Sequence, residues 1–356
     1  FMPSFEGGGV EKNIILIANY FIKKNPSISI ITCSKNIKKK FNNKIKFISS
    51  FDGFWNDYGR IPKYLICIFL LFKEYKKDKN FDVFCFQGNI ICLIFCKLLK
   101  IKIAIRPNSS PSGWSNNIIK KFLFSKILSL SDLIIVNSLK FKLEMQNKFN
   151  LKTKCIYNPL NTKEISKLSK KKIKFKFFNK SHISLISVGR LVYQKDHMTL
   201  LKAINEIKDK VKVKLLIIGE GDQKSNLFSF IDQNNLEKIV KIKDRIENPF
   251  PYILKSEVMI LSSRFEGLPN ILLEALALKK FIISSNCPTG PSEILDSGKG
   301  GFLFKVGNFK DLAMKILIYR KQKKKCKKMK RFALKRIDRF NFEKNLFNYY
   351  KILNDL

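Results

Sequence analysis

Two glutamates, Glu266 and Glu274, stand eight positions apart in the stretch SSRFEGLPNILLEALALKKFIISSNCPTGPSEI, residues 262–294. A Gly267-Leu268-Pro269 turn follows the first, and an apolar run of helix formers carries the second. Asn270 is a residue type that caps helices, so a helix is predicted from Asn270 to Leu278, with Glu266 in the loop before it and Glu274 one turn inside. The wholly apolar run 258–261 reads as a strand covered on both faces. Strand, tight turn and helix in succession bring backbone N–H groups and the positive end of a helix to the carboxyl edge of a sheet. Such an edge holds an anion. Two carboxylates beside it can accept hydrogen bonds from two sets of hydroxyls, so the chemistry predicted is recognition of one ligand bearing both hydroxyls and phosphate.

A second candidate is Glu6-Gly7-Gly8-Gly9-Val10-Glu11, a glycine-rich loop opening a helix over 10–24, where a backbone without side chains can approach a ligand closely. In an α/β domain such a loop follows a first strand. None is legible ahead of it, so the strand is expected to lie upstream of Phe1, or else the domain edge is incomplete.

Positioning these residues requires sheets. Apolar runs at 28–32, 45–49, 81–86, 101–105, 133–137 and 154–157 read as strands, alternating with helical patterns at 58–77, 89–99, 116–130 and 140–149. A second series has strands at 183–188, 213–218, 240–242, 258–261 and 281–284, with helices up to 210 and at 224–234, 311–319 and 342–353. Repeated alternation predicts an α/β chain with a doubly wound parallel sheet in each half. Residues 163–180, lysine-rich with little apolar period, read as the linker, and 321–331 as a basic run.

The bulk composition agrees with two domains: 356 residues, 45% of them apolar. Lys and Arg number 69 against 28 Asp and Glu, a formal charge of +41, which suits anionic lipid, nucleic acid or a phosphorylated substrate. Lys, Asn, Ile and Phe are abundant together, as AT-rich coding alone would produce, so local clusters carry more weight than the total. The eight cysteines include no C-x-x-C pair, and Cys67, Cys85, Cys92 and Cys96 sit in apolar runs, which reads as free thiols in a reducing cytoplasm. Two histidines argue against a zinc site. No apolar run approaches the roughly 18 residues needed to span a bilayer, and no signal peptide is visible.

The ordered set Gly7-Gly8-Gly9-Val10-Glu11, Ser187-Val188-Gly189-Arg190-Leu191 with Lys195, LIIGEG at 216–221, and the two-glutamate stretch resembles the family 4 retaining glycosyltransferases of GT-B architecture. The segments Asn248-Pro249-Phe250-Pro251-Tyr252 and Cys287 to Glu293 resemble a subset that moves hexoses or N-acetylhexosamines onto lipid-linked and lipopolysaccharide glycans. The resemblance implies two Rossmann-like domains facing a cleft: 1–162, the basic linker 163–180, a nucleotide-sugar domain 181–335, and 336–356 returning to the first domain. It implies that Arg190 and Lys195 hold a diphosphate, an arginine fork and a mobile ammonium suiting two phosphates. Glu266 would meet the transferred sugar and Glu274 the ribose of a UDP-linked donor. Gly8, Gly9, Gly189, Gly219, Gly267, Leu268, Asn270 and Ile271 would line the donor site. No metal or other cofactor is expected.

Relatives place a histidine near the reacting centre of the amino-terminal domain, whereas His182 and His197 both lie elsewhere. The corresponding loop, 106–114, offers Arg106, Asn108 and Ser109 as acceptor contacts. His197 is expected to pack or cap at the start of its helix, and Asp132 to turn the chain into a strand. The segment YLICIFLLFKEYKKDK (64–79) is basic and amphipathic, so peripheral attachment to an anionic membrane on the cytoplasmic face is expected. The same charge allows a rival reading, a non-catalytic GT-B-like protein that binds polyanions; no aromatic-basic readout motif favours nucleic acid.

Overall fold

Short apolar runs and amphipathic segments pair into two α/β units in the computed structural model, which describes residues 1–5, 8–24, 27–50, 59–108 and 117–356, the side chains at 35, 36, 118 and 121 apart. Unit 1 comprises Phe1–Pro159 with Phe342–Leu356; unit 2 is Leu160–Asn341.

In unit 1, β1 (Ser29–Ile31) pairs in parallel with β2 (Lys46–Ile48), and β3 (Val83–Cys85), β4 (Ile103–Ile105), β5 (Leu133–Val136) and β6 (Lys154–Cys155) form a second parallel sheet in chain order. Helices α1 (Gly9–Phe21), α2 (Arg60–Lys77), α3 (Asn89–Leu98), α4 (Ile118–Leu128) and α5 (Leu139–Phe149) alternate with them. Ile103, Ala104 and Ile105 are all buried, as strands with both faces covered must be. Asp132 accepts from Ile103 N at 2.7 Å and from Lys97 Nζ at 2.6 Å, joining the start of β5 to β4. The final helix, α14 (Phe342–Asn354), buries Leu346 and Tyr349 in this unit beside α1.

Residues 1–3, ahead of the glycine-rich loop where no strand is legible in the sequence, bond to both sheets. Met2 N donates to Ile31 O and Cys33 N to Pro3 O, while Phe86 N donates to Phe1 O, at 3.0–3.1 Å. Residues 1–3 therefore lie extended between β1 and β3 and join the two sheets. Three residues with one proline are too few to show an alternation.

Unit 2 holds α6 (Thr162–Ser169), β7 (Ile183–Val188), α7 (His197–Ile207), β8 (Val213–Ile218), α8 (Lys224–Gln233), β9 (Val240–Lys243), α9 (Phe250–Lys255), β10 (Val258–Leu261), α10 (Asn270–Ala277), β11 (Phe281–Ser285), α11 (Pro291–Ile294), β12 (Phe302–Phe304), α12 (Phe309–Lys321) and α13 (Lys323–Lys335). Its parallel sheet runs β12-β11-β10-β7-β8-β9. The chain thus winds outward from β7 through β8 and β9, then crosses back to lay β10 on the other side of β7. The gap between the carboxyl ends of β7 and β10 is the topological switch point, where open α/β sheets bind ligands.

The stretch read as linker is helical only over 163–169, and the basic run 321–331 is helical apart from Gln322. At the start of α6 Asn161 is the cap: Glu164 N donates to Asn161 Oδ1 at 3.1 Å, and Asn161 Nδ2 to Glu164 Oε2 at 3.0 Å. Ile165 faces inward, and α6 packs on α9 and α10. Likewise α13 buries Cys326 and Ala333 and turns its lysines outward. One apolar stripe is enough to dock a helix, and the lysines between its members hide the period.

Candidate active site

The loops after β7, β10 and β11 meet at this switch point because those three strands are neighbours. Pro269, rather than Asn270, is the residue that caps α10, and Asn270 is the first helical residue. Proline presets the backbone there without a side-chain bond. Glu266 is buried in the loop between β10 and α10, and Glu274 is buried inside α10.

Lys195, in the single turn after β7, places Nζ 2.5 Å from Glu266 Oε1. Ser263 Oγ donates to the same oxygen at 2.7 Å. The Lys195 side chain keeps 18% of its surface exposed against 9% for Glu266, so the pair is largely withdrawn from water and the ammonium is its more accessible half. Arg190 is exposed, with NH2 3.4 Å from Gln194 Oε1.

Backbone ties hold the two loops together. Arg264 N donates to Gln194 O at 2.8 Å, Gln194 Nε2 to Phe265 O at 2.9 Å, and Ser262 Oγ to Lys195 O at 2.9 Å. Arg264 NH2 reaches buried Asp196 at 3.0 Å, and its guanidinium lies 4.4 Å from the centroid of the Tyr193 ring. Asp196 in turn caps α7 by accepting from Thr199 N.

The third loop braces the second. Thr289 Oγ1 donates to Glu266 O at 2.7 Å and to Gly267 O at 3.1 Å, and Ser285 Oγ to Ser263 O at 2.6 Å. Thr289 has φ of 62°, a left-handed conformation that a β-branched residue rarely adopts. Gly290 follows, and a Cβ there would stand 2.0 Å from Gly267 O, so no side chain fits. Gly219, at the end of β8, is equally constrained, its Cβ position 1.9 Å from Gly189 O. Cys287 is buried in this loop, and burial pushes its thiol up to about 12, the Glu266 carboxylate adding to the shift. Such a thiol stays protonated and unreactive.

Arg190, Lys195, Gly189, Gly219, Glu266, Gly267, Leu268, Asn270, Ile271 and Glu274 thus all lie in unit 2, on loops and helix starts at this sheet's carboxyl edge or, for Glu274, one turn into α10. Gly8 caps α1 and Gly9 opens it, in unit 1; Gly7 and Ser109 are outside the described residues.

Arg106 corrects an expectation. It is 1% exposed, and its guanidinium is spent within unit 1: Nε donates to Tyr349 Oη at 3.0 Å, NH1 to Asn108 Oδ1 at 2.5 Å and NH2 to Asn158 Oδ1 at 2.6 Å. Asn108 Nδ2 meanwhile donates to Phe86 O at 2.5 Å. Arg106 ties β4 to α14 and to the end of β6 instead of presenting donors to a ligand. His197 opens α7, buried, with Nδ1 lacking a hydrogen-bond partner among the described residues; burial, then the Lys195 charge, lowers its pKa to about 3. The imidazole is neutral packing. His182 is half-buried and bonded to Ser181 and Asn179.

Ser263, Gln194 and Thr289 were not singled out by sequence reasoning. The available signal was the run of small polar residues directly after two apolar strands, Ser262-Ser263 after β10 and Ser284-Ser285-Asn286 at the end of β11.

Residues 169–336 match the family described as Glycosyl transferases group 1. An undecaprenol-linked glycan transferase of Campylobacter jejuni, an N-acetylgalactosaminyltransferase by name, is 30% identical over 265 residues, covering 70% of each chain. An uncharacterized glycosyltransferase of Methanocaldococcus jannaschii is 33% identical over 190 residues, 49% of this chain and 47% of that one. Against this second relative, the match spans about half of either protein. Among solved structures, Anabaena HepE in complex with UDP superposes with a TM-score of 0.76 at 16% identity, covering 100% of this chain and 98% of that one, a likeness of GT-B fold.

Proposed function

Since the chain belongs to the group 1 glycosyl transferases, we propose that it moves a hexose or N-acetylhexosamine from a UDP-linked sugar to a glycan or polyprenyl-diphosphate-linked acceptor, retaining the anomeric configuration. The reading assigns it to family 4, in synthesis of a cell-surface polysaccharide or lipopolysaccharide, held peripherally at the cytoplasmic face of the membrane. The name of the Campylobacter relative, with its lipid-linked acceptor, and the UDP bound by HepE support it.

The observation that carries the reading is the 2.5 Å pair of Lys195 and Glu266 at the switch point, with Arg190 on the same loop as Lys195. A diphosphate at the start of α10 would draw the more exposed ammonium toward it. Glu266 is then released to accept from the sugar hydroxyls while Arg190 and Lys195 face the phosphates. Glu274 accepts from the ribose, and the amides of Leu268, Asn270 and Ile271 meet phosphate oxygens. The bond from the anomeric carbon to the β-phosphate oxygen breaks as the acceptor oxygen bonds to that carbon from the same face. The acceptor's proton passes to a β-phosphate oxygen. Fixed cations lower the barrier by offsetting charge that grows on the leaving diphosphate. Of the acceptor contacts, Asn108 and Ser109 remain in the proposal, and Arg106 donates to Asn108.

The test is UDP release by the purified chain across a panel of UDP-sugars. Release with one sugar, abolished by Glu266→Ala, is the expected result. Neither binding nor release with any of them would favour a non-catalytic polyanion binder instead.

A further inference from the structure

We propose that the joined outer faces of α2, α3 and α4 form the surface by which unit 1 inserts into an anionic bilayer. The proposal sharpens the membrane location given above into a defined face and lipid class, and it does not depend on the donor chemistry.

Helix α2 packs on α3, and α3 on α4, with α3 against β3 and β4 of the four-stranded sheet and α2 against β1. Their inner faces are spent in the core, as Cys67, Leu71, Cys92, Leu93, Cys96 and Leu128 show. Their outer faces are apolar as well. Ile61, Leu65 and Phe69 follow one another at four-residue spacing along α2, 67%, 59% and 56% exposed; Leu98 ends α3, and Ile119 and Phe122 project from α4, each more than half exposed. Helix α4 is the extreme case. Seven of its 11 residues are apolar, yet among its described side chains only Leu128 is buried. Scattered exposed apolar residues are ordinary on a soluble surface, whereas a contiguous patch marks an interaction site.

The lysines indicate the occupant. On α2, Lys73 Nζ lies 4.6 Å from the centroid of the Phe69 ring, one turn on; on α4, Lys126 Nζ lies 5.6 Å from that of Phe122. The same aromatic-then-lysine step on two helices sets an apolar stripe beside ammonium groups on flexible stems, the pattern that suits acyl chains below and phosphate headgroups above. The three helices carry nine basic residues and one acid, Glu74, which already receives Lys46 at 2.5 Å and Lys77 at 2.7 Å. A second copy would bring the same lysines against each other, so like charge disfavours self-association and anionic lipid satisfies it. No helix among the described residues is long and apolar enough to cross a membrane, and these three would lie in the interface.

Co-flotation of the full chain with phosphatidylcholine vesicles, with or without phosphatidylglycerol, tests this. Binding is expected only with phosphatidylglycerol and is expected to fall at least tenfold in high salt. Two independent variants, Leu65→Gln/Phe69→Gln and Lys73→Glu/Lys126→Glu, should each bind at least tenfold more weakly while keeping the wild-type circular dichroism and UDP-sugar binding. Wild-type binding in both variants would overturn the proposal, as would equal binding to neutral vesicles. So would a wild-type dimer that the apolar variant splits without loss of vesicle binding. Loss of UDP-sugar binding in the wild type, with vesicle binding intact, would count against the donor assignment alone.

Discussion

Lys195 Nζ and Glu266 Oε1 stand 2.5 Å apart across two loops that belong to adjacent parallel strands, and Ser263 Oγ completes the carboxylate's environment. The ammonium and the carboxylate are each other's counter-ion. Neither is left uncompensated in a largely buried place, which would otherwise be costly.

The pair acts as a unit, so its variants should not add. Glu266→Ala and Lys195→Ala are each expected to lower turnover by about 100-fold or more, the scale of losing one preorganised charge in a closed site. The double variant should lose little beyond the worse single. Single-turnover rates with saturating UDP-sugar check this; strictly multiplicative losses would show that the two act separately. Glu274→Ala, by contrast, should raise KM for the donor about tenfold with kcat nearly kept.

Thr289 holds its strained conformation by bonding two carbonyls of the Glu266 loop. Thr289→Val keeps the shape and removes the hydroxyl, leaving buried carbonyls without their donor, and should lower kcat roughly tenfold. Thr289→Ser should restore it. Gly290→Ala drives a Cβ to 2.0 Å from Gly267 O and should displace that loop, with a larger loss. Unchanged kcat in Thr289→Val would remove this brace from the account.

How much of this was legible depended on whether a feature has a period. The strand 258–261 was read to the residue, since a fully buried parallel strand is an uninterrupted apolar run. Helices α6 and α13 were not, because only two residues of each are buried, Ile165 and Ser169 on α6 and Cys326 and Ala333 on α13. Within the site, Glu266, Lys195 and Arg190 were legible through ordered motifs. Gln194, Ser263 and Thr289 were not, because loop-to-loop hydrogen bonds follow strand order in space and leave no spacing in sequence. Arg106 was misread for another reason. Arginine is almost never fully buried, so a loop arginine reads as a ligand contact until its partners, one of them 243 positions away in α14, are seen.

Arg106 therefore makes a stability prediction. Arg106→Met removes a guanidinium bonded to Tyr349, Asn108 and Asn158 and leaves those three without their donors. The expected loss is about 3–5 kcal/mol, the scale of breaking a buried charged network. Arg106→Lys should not rescue it, since one ammonium cannot reproduce the planar fork. Tyr349→Phe removes one bond and should cost about 1 kcal/mol. Urea unfolding monitored through unit 1 measures all three, and a Lys variant as stable as the wild type would contradict the fork.

His197 sets a pH dependence with a definite sign. Its folded pKa, lowered to about 3 by burial and by the Lys195 charge, lies below the ordinary imidazole value of 6.5. Between those values the unfolded chain binds the extra proton, so acid favours unfolding. The contribution is complete above pH 6.5 and declines as pH falls toward 3, at up to ~1.4 kcal/mol per pH unit. His197→Leu removes the titration while filling the buried space. The stability difference between wild type and this variant should therefore shift by about 2 kcal/mol against the wild type from pH 7.5 to pH 5. Denaturation at the two pH values, with carboxylates common to both proteins cancelling, isolates the imidazole. A constant difference would mean that His197 is solvated and titrates normally, and the tight loop closure around Lys195 would fall with it.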